Sequence, residues 1–175
     1  MHTRARAAAT AALLLAALAA GSHASAQQRP HRPEPAPQKV AMTLHARGSF
    51  EVTLTPQPAD SYADGAALGR LSIDKRFHGD LDATSKGQML TGMSPVKGSA
   101  GYVAIERVSG TLGGRTGSFV LQHSGTMTRG APRLVVTVVP DTGTDELAGL
   151  TGTMTIDVSN GAHAYAFEYT LAEAR

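Results

Sequence analysis

The chain of 175 residues contains no cysteine and no tryptophan, and only 5% of its residues are aromatic. Without cysteine it can form no disulfide and carry no lipidated cysteine, so the fold must be held by core packing alone. The small number of aromatic residues also argues against the stacking platforms on which single-stranded nucleic acids bind.

A surplus of positive charge is also absent from the part of the chain that carries the fold signals. The first 39 residues hold five of the 16 basic residues and one of the 14 acidic residues, which leaves 11 basic and 13 acidic residues from Val40 onward. Proteins that bind nucleic acids need a surplus of Lys and Arg on the binding face. We therefore expect no nucleic acid as a partner.

Motifs for metal or cofactor chemistry are missing as well. The histidines after the N-terminal region stand far apart, at positions 31, 45, 78, 123 and 163, with no His-x-His or Glu-x-x-His spacing. No glycine-rich loop joins a strand to a helix, as a phosphate site requires, and no serine has the surroundings of a nucleophile elbow. We therefore expect neither a metal nor an organic cofactor.

Two N-terminal segments are predicted to precede the folded domain. Two arginines are followed by an apolar run, Ala7–Ala20, which is too short to span a bilayer, and then by the small-residue cleavage pattern Ala24-Ser25-Ala26. Residues 1–26 are therefore predicted to be a secretory signal peptide, and the proline-rich residues 27–39 a disordered linker. On this prediction the protein is periplasmic or secreted, is not a lipoprotein, and keeps no transmembrane segment after cleavage.

Residues 40–175 are predicted to form one all-β domain. Apolar and polar residues alternate, glycine and proline separate the runs, and no amphipathic helix pattern is present. Eight strands with short connections favour an antiparallel up-and-down β-barrel, and a β-sandwich is the alternative. A bulge is expected at Gly48 and a turn at 84–87. The strands are expected at about 41–54, 67–82, 87–94, 99–112, 115–130, 132–140, 147–158 and 162–172.

Two hairpins set the register of the predicted barrel. Gly113-Gly114 and Asn160-Gly161 each suit a two-residue turn whose central residues adopt positive φ. The first turn places Glu106 opposite Leu121, with His123 two positions further along on the same face. That face holds the bulkier apolar residues, so we expect it to line the barrel interior.

Glu106 and His123 are the candidate chemical pair. They are diagonal neighbours across the first hairpin, within reach of each other. A carboxyl group inside an apolar barrel is expected to have a raised pKa, and an adjacent imidazole can exchange a proton with it. We therefore expect these two residues to act in catalysis or in orienting a ligand, and a purely structural buried pair or a surface pair is the alternative. The residues expected to line a ligand cavity beside them are Tyr102, Phe119, Leu121 and, at the rim, His163.

Four stretches of the chain resemble a bacterial family of uncharacterised small proteins, a domain of unknown function. They are FHGDLDATSKGQML (77–90), GSAGYVAIERVSGTLGGRTGSFVLQHSGTM (98–127), VTVVPDTGTDELAGLTGTM (136–154) and HAYAFEYTL (163–171). The family is grouped with the allene-oxide-cyclase-like barrels, so the resemblance implies an eight-stranded antiparallel barrel but no activity. Allene oxide cyclases and the related dirigent proteins bind apolar small molecules inside the barrel, and none of their functional residues is carried over to this chain.

Three functions stay open at this point. The first is an exported barrel that binds a small apolar or amphipathic ligand, which Glu106 and His123 would orient. The second is a cofactor-free isomerase or cyclase that uses Glu106 as acid or base in the same pocket. The third is a barrel filled by its own side chains, acting through its surface as an interaction or structural module. A homo-oligomer is compatible with all three.

Overall fold

Eight antiparallel strands form the part of the chain that the computed structural model describes, which is residues 42–58, 67–159 and 161–171. They are β1 (Leu44–Gln57), β2 (Ala67–Gly79), β3 (Leu81–Met93), β4 (Ala100–Leu112), β5 (Arg115–Thr128), β6 (Ala131–Val138), β7 (Thr151–Ser159) and β8 (Ala162–Thr170). Each strand pairs with the next along the chain, and β8 pairs with β1, so the sheet closes. The predicted up-and-down barrel is therefore confirmed over the sandwich. The predicted signal peptide and linker lie outside the described residues.

Both predicted hairpin registers are confirmed. Gly113 and Gly114 have φ values of 54° and 81°, as a primed two-residue turn requires. Glu106 is paired with Leu121 across the β4–β5 ladder. The β7–β8 ladder likewise has the predicted alignment, from Thr151 opposite Thr170 at one end of the pair. Short local turns therefore determine which side chains face the lumen.

The turn predicted at 84–87 is wrong, because these residues lie within β3. The chain instead turns at Gly79-Asp80, where Gly79 has a φ of 103°. Turn-forming residue types are tolerated inside β3 because each has a partner: the inward Ser85 hydroxyl donates to Glu106, and the outward Lys86 donates to Asp74.

The bulge predicted at Gly48 is also wrong. Gly48 is paired with Gly79 on one side and Tyr165 on the other, and neither ladder skips a residue. Glycine is required there for space, since a Cβ atom would overlap the His78 carbonyl oxygen and lie 2.6 Å from the Tyr165 hydroxyl.

The connection between β6 and β7 takes the place of a strand along β5. Thr142 Oγ1 accepts from the Val120 N–H at 3.1 Å, and Thr144 Oγ1 accepts from the Ser118 N–H at 3.0 Å. β7 therefore begins at Thr151, later than the predicted 147. The connection includes a single 3-10 turn, Asp145–Leu147, and no helix among the described residues is long and apolar enough to cross a membrane.

The ladder between β6 and β7 is much shorter than the ladder between β8 and β1. β6 and β7 are registered at one position, where Thr137 is opposite Thr153. The closing ladder between β1 and β8 is longer and runs from Leu44 opposite Tyr169 to Phe50 opposite His163.

One end of the lumen, beside the Gly113-Gly114 turn, is occupied by buried apolar side chains, and we refer to it as the packed half. The Phe119 and Phe167 rings stack there with centroids 5.9 Å apart, and Tyr169 stacks on Phe167 at 5.2 Å. Each apolar side chain buried in this way contributes about 1.5–3 kcal/mol to folding. Other fully buried members of the packed half are Phe77, Leu81, Leu112, Leu147 and Leu150.

We expect Leu147→Ala to lower the free energy of unfolding by about 2–5 kcal/mol, because Leu147 is buried in the packed half and alanine would leave a cavity. The matched control is Leu90→Ala on the outer face of β3, where the leucine is 55% exposed and the loss should stay under about 1 kcal/mol. Urea unfolding of the two variants measures both losses. Equal losses in the two variants would contradict the burial of Leu147 in the packed half.

Candidate functional site

Four polar side chains meet in the middle of the lumen, and we refer to them as the lumen cluster: Lys75, Ser85, Glu106 and His123. Glu106 Oε1 accepts a hydrogen bond from Lys75 Nζ at 2.7 Å and lies 2.8 Å from His123 Nε2. Glu106 Oε2 accepts from Ser85 Oγ at 2.7 Å. All four residues are buried, and Glu106 has no exposed surface. The predicted contact between Glu106 and His123 is therefore present, with two further partners.

Four consecutive strands supply one member each, from β2 to β5. Strand alternation turns Lys75 inward together with Ile73 and Phe77, and it places Glu106 and His123 on the lumen side of the predicted hairpin. Gly87, opposite Glu106, leaves the room that this side chain needs, since a Cβ atom there would lie 2.6 Å from the Glu106 Cβ. The cluster thus depends on a glycine as well as on its polar members.

The pKa of Glu106 is lowered to about 2, the opposite of the expected direction. Burial is the largest single influence and raises this pKa. The hydrogen bond from His123 and the positive charge of Lys75 together outweigh burial and lower it. The expectation of a raised pKa was wrong because it took no account of a cation beside the carboxylate.

Lys75 was missed as a site residue, although strand alternation contained a signal for it. It stands between Ile73 and Phe77 at positions that both face inward. A lysine in such a pattern needs an acidic partner in the lumen, because a buried charge without one is costly. Its ammonium group also lies 4.9 Å from the centre of the Phe50 ring and 5.7 Å from that of Phe77, within cation–π range.

A cavity of about 180 Å³ occupies the other end of the lumen, which we refer to as the open half. Four of the lining residues are polar: Lys75, Tyr102, His123 and His163. Two members of the lumen cluster, Lys75 and His123, therefore form its floor. Its apolar walls are formed by Phe50, Val52, Leu54, Ile73, Met89, Ala104, Leu134, Ile156 and Val158.

The residues predicted to line a cavity divide between the two halves. Tyr102 and His163 line it, and His163 stacks on Phe50 with ring centroids 4.9 Å apart. Phe119 and Leu121 face the lumen as expected, but both are fully buried core residues and are not among those that line the cavity. They therefore belong to the core rather than to the candidate binding surface.

A glycine leaves the space that the Tyr102 ring occupies at the cavity wall. It is paired with Gly125, and a Cβ atom at Gly125 would lie 2.7 Å from the Cζ atom of the tyrosine, so the ring lies across the glycine. Burial, and secondarily the negative charge of Glu106, raise the pKa of the Tyr102 hydroxyl. The hydroxyl therefore stays protonated and can donate a hydrogen bond.

Metal ligands do not gather at this site. Within residues 42–58, 67–159 and 161–171, no group of three or more His, Asp and Glu side chains is close enough together to hold an ion. The polar side chains that line the cavity can supply hydrogen bonds, positive charge and an imidazole for proton transfer.

The sequence profile of a family described as "Protein of unknown function (DUF3224)" matches residues 46–169. The chain belongs to the DUF3224 family. A crystal structure of a DUF3224 protein with unknown function from Shewanella oneidensis MR-1 is 51% identical to it, with a TM-score of 0.72, over 76% of this chain and 100% of that one. Comparison with curated proteins found no match. Membership of DUF3224 thus confirms the resemblance noted in the sequence and, like it, assigns no activity.

The stability of this DUF3224 barrel should depend on pH through Glu106. Its pKa falls from an ordinary value of 4.5 to about 2 on folding, which corresponds to about 3 kcal/mol of stabilisation. Because the folded-state pKa is the lower one, this stabilisation is complete above pH 4.5 and is lost as the pH falls toward 2. Urea unfolding of the wild type and of Glu106→Gln between pH 7 and pH 2.5 measures it.

At neutral pH we expect Glu106→Gln to be less stable than the wild type by about 3–5 kcal/mol, because Lys75 loses its buried partner. This difference should shrink as the pH falls below 4.5. The control is Glu168→Gln on the exposed outer face, whose profile should run parallel to that of the wild type. A wild-type advantage over Glu106→Gln that is the same at every pH would contradict the assignment.

Proposed function

We propose that the protein binds a small amphipathic molecule in the open half of its barrel. The observation that carries the proposal is the cavity of about 180 Å³, which has nine apolar lining residues and a floor that includes Lys75 and His123. Ligand sites typically combine apolar walls with a few polar groups that fix the orientation of the ligand. A barrel acting only through its surface would have no need of this arrangement.

Exposed apolar residues at the rim support the proposal. Leu54, Leu134 and Val158 line the cavity, yet they are 44%, 38% and 60% exposed. Covering apolar surface releases about 25 cal/mol per Å². A ligand with an apolar body would therefore gain free energy by covering the rim and walls, while its polar end meets the floor.

Glu106 acts in this proposal as a positioning residue. Both of its carboxylate oxygens are already occupied, by Lys75, His123 and Ser85, and it is not among the cavity-lining residues. Its role is to hold Lys75 and His123 at the floor. Lys75, His123, Tyr102 and His163 are the groups that meet the ligand.

A second candidate function is proton transfer to or from the bound molecule. The geometry that favours it is the 2.8 Å contact between Glu106 and His123 Nε2, with His123 also at the cavity wall. A carboxylate that orients an imidazole in this way is a common arrangement for a general base. Glu106 itself is poorly suited as the acid, since its pKa of about 2 keeps it ionised. In that case His123→Gln would abolish turnover but weaken binding only in part, because Lys75, Tyr102 and His163 still meet the ligand.

We further propose that the protein acts outside the cytoplasm, because a predicted signal peptide and a proline-rich linker precede the barrel. Export is compatible with the absence of cysteine from the whole chain, since an oxidising compartment then leaves its covalent structure unchanged.

Filling the cavity should abolish binding without unfolding the protein. Ala104 lines the cavity, and Ala104→Leu would place three more carbon atoms in it. We expect this variant to fold with an unchanged or higher Tm and to bind no ligand. The matched control, Ala164→Leu, adds the same atoms at an exposed position of β8 and should bind as the wild type does.

Native and denaturing mass spectra of protein purified from its own host measure this binding. A small mass should accompany the wild type and Ala164→Leu in the native spectrum and disappear on denaturation. If Ala104→Leu carried as much bound small molecule as the wild type, the ligand would have to bind outside the open half. A wild type without any bound mass, even after incubation with an extract of host small molecules, would overturn the proposal.

A further inference from the structure

The donors at the cavity floor indicate the chemical class of the ligand, an inference that rests on the proposed function. We propose that the ligand is a small organic carboxylate whose anionic head binds Lys75 and the Tyr102 hydroxyl and whose apolar body fills the open half. The argument depends on which polar atoms at the floor are free, on the charge they carry and on the size of the cavity.

Lys75 and Tyr102 each offer an unused hydrogen-bond donor to the cavity. Lys75 Nζ has three N–H groups, and the described residues engage one of them, through Glu106 Oε1. The Tyr102 hydroxyl is likewise without a hydrogen-bond partner among the described residues. Both Glu106 oxygens are occupied. A ligand head that accepts hydrogen bonds therefore fits this floor better than one that donates them.

Charge favours an anion over a neutral acceptor. Lys75 places its ammonium group at the floor, and its ion-pair partner Glu106 lies outside the cavity lining. A hydrogen bond from an ammonium group to a carboxylate is about twice as strong as one between neutral groups. A cationic head would instead face Lys75 with a like charge.

The volume of the cavity limits the body of the ligand. A cavity of about 150 Å³ with apolar walls accommodates benzene in another protein, whereas sites for drug-sized ligands begin at about 300 Å³. At about 180 Å³, the open half suits a body of roughly six to ten non-hydrogen atoms. A single ring or a short branched chain with a carboxylate meets this limit, and a long acyl chain does not.

Three probes of nearly equal size share a phenyl ring and differ in the charge of the head group: benzoate, benzamide and benzylammonium. Isothermal titration of the wild type should show benzoate binding about tenfold or more tightly than benzamide, and no binding of benzylammonium. Tyr102→Phe removes one donor while leaving the lumen cluster intact, and it should weaken benzoate several-fold and benzamide by less, because the amide oxygen is the weaker acceptor.

A double variant tests the role of the Lys75 charge without leaving an unpaired charge in the lumen. Lys75→Met combined with Glu106→Gln removes both members of the ion pair, so no unpaired charge is buried. The double variant should lose the preference for benzoate over benzamide. The control is Lys86→Met, which removes the same charge from the exposed outer face and should keep the wild-type preference.

The outcomes separate this inference from the proposed function. Benzamide or benzylammonium binding as tightly as benzoate would overturn the carboxylate assignment and leave a ligand-binding barrel in place. A benzoate preference that survives both in Tyr102→Phe and in the double variant would overturn the assigned head position. If none of the three probes binds and the native protein carries no small mass, the proposed function fails together with the inference.

Discussion

The ion pair between Glu106 and Lys75 is the interaction on which the rest of the lumen depends. Removing two charges from water costs several kcal/mol for each ion, and the cost is recovered only if both are well paired and hydrogen-bonded. The barrel meets this requirement by drawing one partner from each of four consecutive strands. A single missing partner would leave a charge in an apolar interior. The middle of the lumen is therefore sensitive to any single change that leaves one of these charges unpaired.

This central layer separates two regions with different physical demands. Below it, stacked aromatic rings and the inward leucines of the β6–β7 connection fill the lumen and account for the cohesion of the fold. Above it, the side chains leave a cavity of about 180 Å³. Because the packed half supplies a core of its own, the open half is free to hold something other than protein.

Local sequence was sufficient to predict the barrel, both hairpin registers and the contact between Glu106 and His123, because two-residue turns and strand alternation are local properties. Local sequence could not predict that Phe119 and Leu121 lie in the packed core and do not line the cavity. Their depth depends on the stagger of strands and on a connection that returns to cover β5. The position of Ser85 was not predictable because its neighbours resemble a turn. Lys75 lies on β2, outside the hairpin that holds Glu106 and His123, so the register of that hairpin does not reveal its contact with Glu106.

The closing ladder has a consequence for how the chain acquires its shape. Every other ladder joins strands that follow one another directly, whereas the pair of Leu44 with Tyr169 joins the two ends of the described chain. The entropy cost of closing a loop rises with its length, so this pairing is the slowest contact to form. Without β8, neither β1 nor β7 would have its second neighbour, and the sheet could not close. For a protein that we propose is exported, the lumen that buries this ion pair would then be closed only after synthesis has reached the last strand.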